Sequence, residues 1–187
     1  MTACLGHWYL CKEKGERQVA GYEGITIALA LTPGFDSLLE RARHLAPTAV
    51  RPLPAHITIA MPFLSLSEVK RGTLNELSDL VSEVMPTHVE GRKLVASDRG
   101  FLGVEVPEFT PVLERVQAKW PALTPYDGRY GDESRPHVTI STKAEPSQLE
   151  TLRELADVAL PLTSAVMGPV VVTMEGGQWR LVGAEVG

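Results

Sequence analysis

The hydrophobic positions from residue 24 onward alternate between two patterns. Short apolar runs rich in β-branched residues at 24–31 and 56–60 predict strands. Between them, apolar positions spaced three and four residues apart over 35–45 predict an amphipathic helix. A second helical pattern and a weaker strand, interrupted by a glycine, over 87–97 complete the first half of the chain.

The second half repeats this order. A strand is predicted over 100–106, a helix after Thr110, a strand over 137–141 and a second helix behind it. Two final strands joined near Gly176 and Gly177 give a hairpin signal. The repeat predicts an α+β fold class, with a duplicated, bilobal, pseudo-two-fold fold. Its two antiparallel sheets would face a central cleft, with the helices outside.

Capping-box patterns predict where the second helix of each half begins. Ser65 is followed three residues later by Glu68, and Ser147 by Glu150. In such a box the serine and the acidic residue satisfy free N–H groups at the start of a helix.

The domain organisation follows from where the regular pattern begins. Residues 1–23 are predicted to be an N-terminal extension, and 24–187 a single bilobal domain. Lobe 1 would span about 24–98 and lobe 2 about 99–187. Cys4 and Cys11 both lie in the extension and are interpreted as free thiols, because a disulfide framework needs more cysteines, better spread.

Composition limits the possible partners. The chain has 44% hydrophobic residues and a net charge of −5, whereas proteins that bind long stretches of nucleic acid usually show a broad basic face. A phosphate ligand is therefore expected to be small, or to insert only one end. No apolar run reaches the roughly 18 residues of a membrane span, and no secretion signal is evident. We expect a cytoplasmic monomer with no membrane partner.

The same four-residue pattern, histidine, apolar, threonine, isoleucine, occurs once in each half. It begins at His56 in "HITI" and at His137 in "HVTI", 81 positions apart. Alternate side chains of a strand point to the same face, so each histidine shares a face with Thr58 or Thr139. Two imidazoles can act as base and acid on opposite sides of one phosphorus, while the threonine hydroxyls bind its non-bridging oxygens.

Two alternatives remain open at this point. A metal-dependent hydrolase would use the histidines as ligands, with Asp132 and Glu133 as candidate further ligands. However, threonine is a poor zinc ligand, and neither motif has a Cys, an Asp or a second His at i+2 or i+4. No metal and no other cofactor is therefore expected. A non-catalytic RNA-binding module of split β-α-β fold would expose aromatic residues on its sheet, where this chain has histidine and threonine.

Four further residues are candidates for substrate binding. Tyr126 and Tyr130 precede the second motif and Phe63 follows the first; each offers an aromatic face for a base. Phe63 could instead pack in the core. Arg135 lies two residues before His137 and could donate a charge-assisted hydrogen bond to phosphate.

With both motifs in their contexts, "PAHITIAMPF" and "RPHVTIST", the chain resembles the two-histidine (2H) phosphoesterase superfamily and its bacterial 2′-5′ RNA ligase-like branch. The resemblance covers about 24–186. It implies that His56 and His137 are the catalytic pair and that Thr58 and Thr139 bind phosphate.

The activity implied by this resemblance is a metal-independent reaction at a cyclic phosphate. Members open 2′,3′-cyclic phosphates of nucleotides or RNA 3′-ends to 2′-phosphates, and some join such ends as 2′-5′ linkages. The working hypothesis is that His137 activates water and His56 protonates the leaving 3′-oxygen. A member of this type acting on another cyclic phosphate or signalling nucleotide is a further alternative.

Overall fold

The computed structural model describes residues 24–123 and 135–183. In this part of the chain the four α-helices are α1 (Asp36–Leu45), α2 (Arg71–Ser82), α3 (Thr110–Lys119) and α4 (Pro146–Ala159). The strands are β1 (Thr26–Leu31), β2 (His56–Ala60), β3 (His88–Gly91), β4 (Lys93–Ala96), β5 (Leu102–Glu105), β6 (His137–Ser141), β7 (Leu162–Ala165), β8 (Met167–Glu175) and β9 (Gln178–Leu181). The chain is therefore α+β, as predicted.

The strand order shows the duplication predicted from the sequence. Seven strands form one sheet in the order β4-β5-β6-β2-β1-β8-β9, and β3 pairs with β7 in a second, two-stranded sheet. All these pairings are antiparallel. From the centre outward, β6-β5-β4 on one side mirrors β2-β1-β8 on the other. Each half thus contributes three matching strands to the large sheet and one to the small sheet.

The helices are exchanged between the two halves. α1 packs against α4, and α2 packs against α3. α4 also contacts β4 and β5, whereas α2 contacts β8 and α3 contacts β2. Each helix pair therefore contains one helix from each half of the sequence. The boundary proposed between residues 98 and 99 falls between β4 and β5, which pair as neighbours, and the division into lobes remains a proposal.

One face of the large sheet carries the main core. Ile57 of β2 and Val138 of β6 are fully buried on this core face, together with Phe35 and Phe109 from the short 3₁₀ turns that precede α1 and α3. Burying each such side chain contributes roughly 1.5–3 kcal/mol to stability. The core face thus positions the two central strands, and their opposite face is left for polar side chains.

Neither predicted capping box caps a helix: the structure has capping boxes at Lys70 with Thr73 and at Glu145 with Gln148. Ser65 and Glu68 do hydrogen-bond to each other, yet they close a turn, and α2 begins only after Lys70. α4 is capped by Glu145, whose N–H donates to the Gln148 side chain, rather than by Ser147 with Glu150.

Gly91 explains why the segment 87–97 forms two strands instead of one. A Cβ atom at this position would lie 2.4 Å from Val104 Cγ1 and 2.9 Å from Phe35 Cζ. The backbone must therefore pass close to the core here, and only glycine allows it. β3 and β4 on either side of this crossing belong to different sheets. The hairpin predicted at Gly176 and Gly177 is confirmed, and both residues have positive φ angles.

A stability prediction follows from Thr32 and Val106, which occupy matching positions after β1 and β5. Both are fully buried, but within the described residues the Thr32 hydroxyl has no hydrogen-bond partner. Such a group costs about 1–3 kcal/mol. We expect Thr32→Val to raise the free energy of unfolding by about 1 kcal/mol in urea denaturation, and Val106→Thr to lower it. A destabilised Thr32→Val variant would show that the hydroxyl is satisfied.

Candidate functional site

The two histidine motifs lie side by side at the centre of the large sheet. Ile57 of β2 is paired with Val138 of β6 in antiparallel register. One residue to either side of this pair, His56 lies opposite Thr139 and Thr58 lies opposite His137. Since Ile57 and Val138 point into the core, these four side chains share the opposite face, which we call the histidine face. The structure thus brings together all four residues predicted from the motifs.

The register determines how far apart the histidines are. Residues directly opposite each other have Cβ atoms about 4.5–5.5 Å apart, and diagonal neighbours are about 7–8 Å apart. His56 and His137 are diagonal neighbours on the histidine face, as are Thr58 and Thr139. The four side chains therefore surround a space in which a tetrahedral group can contact two imidazoles and two hydroxyls.

The two imidazole rings are held by matching hydrogen bonds. His56 Nδ1 lies 2.7 Å from the carbonyl oxygen of Pro54, and His137 Nδ1 lies 2.8 Å from that of Arg135. A carbonyl can only accept, so each Nδ1 carries the proton and donates it. Each Nε2 then keeps its lone pair in the neutral ring. This orientation leaves Nε2 as the atom that can take or give a proton at the site.

Burial lowers the pKa of both histidines. The pKa of His56, which is 5% exposed, is lowered to about 4, chiefly by burial and further by the positive charges of Arg51 and Arg43 and by His137. Burial also lowers the pKa of His137, while its hydrogen bond to Arg135 and the negative charge of Glu105 oppose the shift. Both rings are therefore neutral at pH 7 in the ligand-free protein, and an anion placed between them would favour their protonation.

The hydroxyls of Thr58 and Thr139 lie on the histidine face. Both side chains are half-buried. Neither hydroxyl has a hydrogen-bond partner within residues 24–123 and 135–183, in contrast to the buried hydroxyl of Ser141, which donates to the Gly100 carbonyl at 3.0 Å. Partly buried hydroxyls that are not satisfied by the protein are suited to bind oxygen atoms of a ligand.

Further side chains border the histidine face on both sides. Next to β2, a small apolar cluster is formed by Ile27, Leu29, Met61 and Val172. Next to β6, the Phe101 ring contacts the His137 ring edge to face, with centroids 5.0 Å apart. Gly103 lies opposite Thr139, and a Cβ atom there would come within 3.2 Å of His137 Cδ2.

The remaining predicted substrate residues have different surroundings. The Arg135 side chain is 65% exposed and forms an ion pair with Glu105, Nη1 to Oε1, at 3.1 Å. Phe63 is 3% exposed and packs edge to face against Trp120 in the main core. Its burial favours the packing role over base stacking. Tyr126 and Tyr130 lie outside the described residues.

Three residues near the site were missed by the sequence reasoning: Phe101, Gly103 and Glu105. Gly103 and Glu105 alternate along β5, so period-two spacing places them on one face, and Phe101 immediately precedes this strand. Glu105 lies directly opposite His137. Once β5 is aligned with β6, alternation alone would have put Gly103 and Glu105 next to the second motif. The ladder is irregular between Leu102 and Gly103, so alternation does not extend to Phe101. Local sequence patterns do not indicate the register between two strands.

Within residues 24–123 and 135–183, no three or more His, Cys, Asp or Glu side chains are grouped so that they could hold a metal ion. In the same ranges, no helix combines the length and the apolar character needed to cross a membrane.

Because His56 is buried, we expect the free energy of unfolding to depend on pH. Its pKa is lowered from the ordinary histidine value of 6.5 to about 4 in the folded protein, so the unfolded chain binds more protons between these values. The contribution is complete above pH 6.5 and is lost as the pH falls towards 4, by up to about 3 kcal/mol in total. We expect His56→Gln to flatten this part of the stability curve in urea denaturation.

His88 offers the matched control, because its side chain is exposed on β3. His88→Gln is expected to keep the wild-type dependence between pH 6.5 and 4. An equal slope in the wild type and in His56→Gln would mean that His56 is not buried in its neutral form.

Comparison with known proteins adds one result to this geometry. A search of curated proteins found no match. A model of the 2′-5′ RNA ligase superfamily matches residues 32–178, a range that contains both histidine motifs and the elements from α1 through β8. Because this match spans well over half of the chain, the chain belongs to the 2′-5′ RNA ligase superfamily, the group of two-histidine phosphoesterases that its two motifs resemble.

Proposed function

We propose that the chain is a metal-independent phosphodiesterase that opens 2′,3′-cyclic phosphates of nucleotides or RNA 3′-ends to 2′-phosphates. The observation that carries the proposal is the pairing of two H-x-T strands in register, with two Nε2 atoms and two threonine hydroxyls on one face. Membership of the superfamily supports a phosphoesterase or ligase.

The arrangement suits in-line displacement at phosphorus. One neutral imidazole takes a proton from the attacking water as its oxygen bonds to phosphorus. The other, protonated, imidazole gives a proton to the 3′-oxygen as the P–O3′ bond breaks. Hydrogen bonds from Thr58 and Thr139 to the non-bridging oxygens stabilise the charge that develops there. In the reverse direction the imidazoles exchange roles, which supports 2′-5′ ligation as a second reaction of the same site.

Local charge favours a small anionic substrate despite the net charge of −5. Arg51 and Arg43 lie close enough to His56 to influence its pKa, and Arg135 lies at the start of β6. These cations attract a phosphate to the centre of the sheet without forming a long basic surface. The bacterial branch, the monomeric state and the cytoplasmic location stay predictions from the sequence.

The first experiment is a panel of 2′,3′-cyclic nucleotides assayed in EDTA. We expect turnover by the wild type, with a loss of about 10²- to 10⁴-fold in kcat for His56→Ala and for His137→Ala. Thr58→Val and Thr139→Val should each lower kcat by roughly 10- to 1,000-fold, because each removes one donor to the phosphate. Products are identified as 2′- or 3′-phosphates by chromatography against standards.

The exposed His88 provides the control for this panel, and His88→Ala should retain wild-type turnover. Activity abolished by EDTA and restored by a divalent metal would contradict the proposal and favour a metal-dependent hydrolase. Tight binding without turnover would favour the RNA-binding module. Turnover of a different cyclic phosphate, with none of these substrates, would redirect the proposal to a signalling nucleotide.

A second prediction concerns the pH dependence of the reaction. One histidine must be neutral and the other protonated, and in the free protein both pKa values lie below 6.5. The profile of kcat/KM should therefore be bell-shaped with its maximum on the acid side of pH 6.5, falling about tenfold per pH unit well above it. The kcat profile should lie at higher pH, since the bound phosphate favours protonated imidazole. Flat profiles from pH 5 to 9 would contradict this mechanism.

A further inference from the structure

The two halves of the site differ at one matching position. The residue opposite His56 on β1 is Leu31, whereas the residue opposite His137 on β5 is Glu105. Because β1 and β5 are equivalent strands of the duplication, this is the same position in both halves. Directly opposite residues share a face and have Cβ atoms about 4.5–5.5 Å apart. One histidine thus has an aliphatic neighbour and the other a carboxylate.

Glu105 acts on His137 in two ways. Its side chain is only 16% exposed, and its carboxylate lies 3.1 Å from Arg135 Nη1 and 3.5 Å from Lys93 Nζ. The carbonyl of Arg135 accepts the hydrogen bond from His137 Nδ1, so the ion pair supports the residue that orients the ring. The negative charge of Glu105 also favours the protonated form of His137, although the two cations partly offset it.

The charged groups that lower the pKa of His56 are positive, whereas Glu105 near His137 is negative. Arg51 on the preceding loop and Arg43 of α1 both disfavour a proton on His56, as does His137 across the strand pair. Arg43 is held in place by hydrogen bonds to the carbonyls of Arg51 and Leu53. The nearby carboxylate of Asp36 accepts the N–H of Ala55 at 2.7 Å and so supports the backbone just before His56.

We propose that Glu105 is a positioning residue that makes the two histidines unequal, so that His137 is the proton donor and His56 the proton acceptor in the opening of a cyclic phosphate. This inference rests on the proposed function. It reverses the roles hypothesised from the sequence, because two motifs with the same histidine and threonine do not show which histidine donates the proton. The distinction comes from the neighbouring strands, where the duplication is broken by Leu31 and Glu105.

The proton balance of the step is complete without a further reactant. His56 Nε2 takes one proton from water while the water oxygen bonds to phosphorus. His137 Nε2–H gives one proton to O3′ as the P–O3′ bond breaks, which leaves a 2′-phosphate and a free 3′-hydroxyl. His56 is then protonated and His137 neutral, and exchange with solvent restores the starting state. In ligation His137 takes the proton and His56 gives it.

The first test follows both histidines by NMR titration in the free protein, independently of activity. We expect His137 to take up its proton at higher pH than His56. Glu105→Gln should lower the pH at which His137 is protonated and leave His56 nearly unchanged, whereas Glu105→Asp should largely preserve the wild-type value. Glu108→Gln is the matched control, because it removes the same charge from an exposed position and should change neither histidine.

A second variant keeps the test decisive if Glu105→Gln fails to fold. Leu31→Glu places a carboxylate at the matching position next to His56 and should raise the pH at which His56 is protonated. The proposal is overturned if His56 takes up its proton at higher pH than His137 in the wild type. It is also overturned if neither Glu105→Gln nor Leu31→Glu changes the titration of the adjacent histidine.

The second test measures kcat/KM against pH for the same variants on a 2′,3′-cyclic nucleotide. Glu105→Gln should move the alkaline limb to lower pH, leave the acid limb in place, and lower kcat/KM at pH 7 by about 3- to 10-fold. Movement of the acid limb instead would make His137 the base and overturn the role assignment. If the wild type turns over no cyclic phosphate, the proposed function fails, and the NMR titration still decides whether Glu105 separates the two histidines.

Discussion

The antiparallel pairing of β2 with β6 is the interaction on which the rest of the site depends. Ile57 and Val138 are the one pair of residues aligned between these two strands. This pairing joins the two halves of the large sheet, and both side chains point into the core. A shift of one residue would turn one motif over, because the side chains of a strand alternate between its faces. The exchange of helices between the halves supports the same register from the core side, since α3 packs on β2 while α4 packs near β5.

Burial and hydrogen bonding act in opposite directions on the two histidines that this pairing brings together. Burial disfavours the charged form of both rings, whereas the hydrogen bonds to the carbonyls of Pro54 and Arg135 favour it. The same hydrogen bonds hold both rings in the same orientation. A symmetric pair of neutral imidazoles has no preferred direction of proton transfer. The neighbouring strands β1 and β5, and not the motifs themselves, make the two histidines unequal. Leu31 and Glu105 differ at matching positions, whereas the motif residues are alike. The duplication thus places the four motif residues, and the difference between Leu31 and Glu105 determines the direction of proton transfer that we propose.

Sequence patterns were sufficient for the motifs and for most elements, but not for their pairing. Apolar periodicity predicted β1, α1 and β6, and the repeated H-x-T pattern predicted the four central residues, because alternation within one strand is a local property. The sheet order is not local: β4 and β8 each cross to a strand of the other half, and the role of Gly91 appears only once Phe35 and Val104 are packed against it. For the same reason Phe63, interpreted as a base-stacking candidate, lies in the core, and Glu105 was not recognised as a neighbour of His137.

A crystal structure with a bound 2′-mononucleotide, the expected product, would show whether both motifs bind the same phosphate. We expect the phosphate on the histidine face, with the Nε2 atoms of His56 and His137 within hydrogen-bonding distance of different oxygens and the hydroxyls of Thr58 and Thr139 donating to the others. A phosphate bound away from this face, or in contact with only one of the two imidazoles, would show that the two motifs do not form one site.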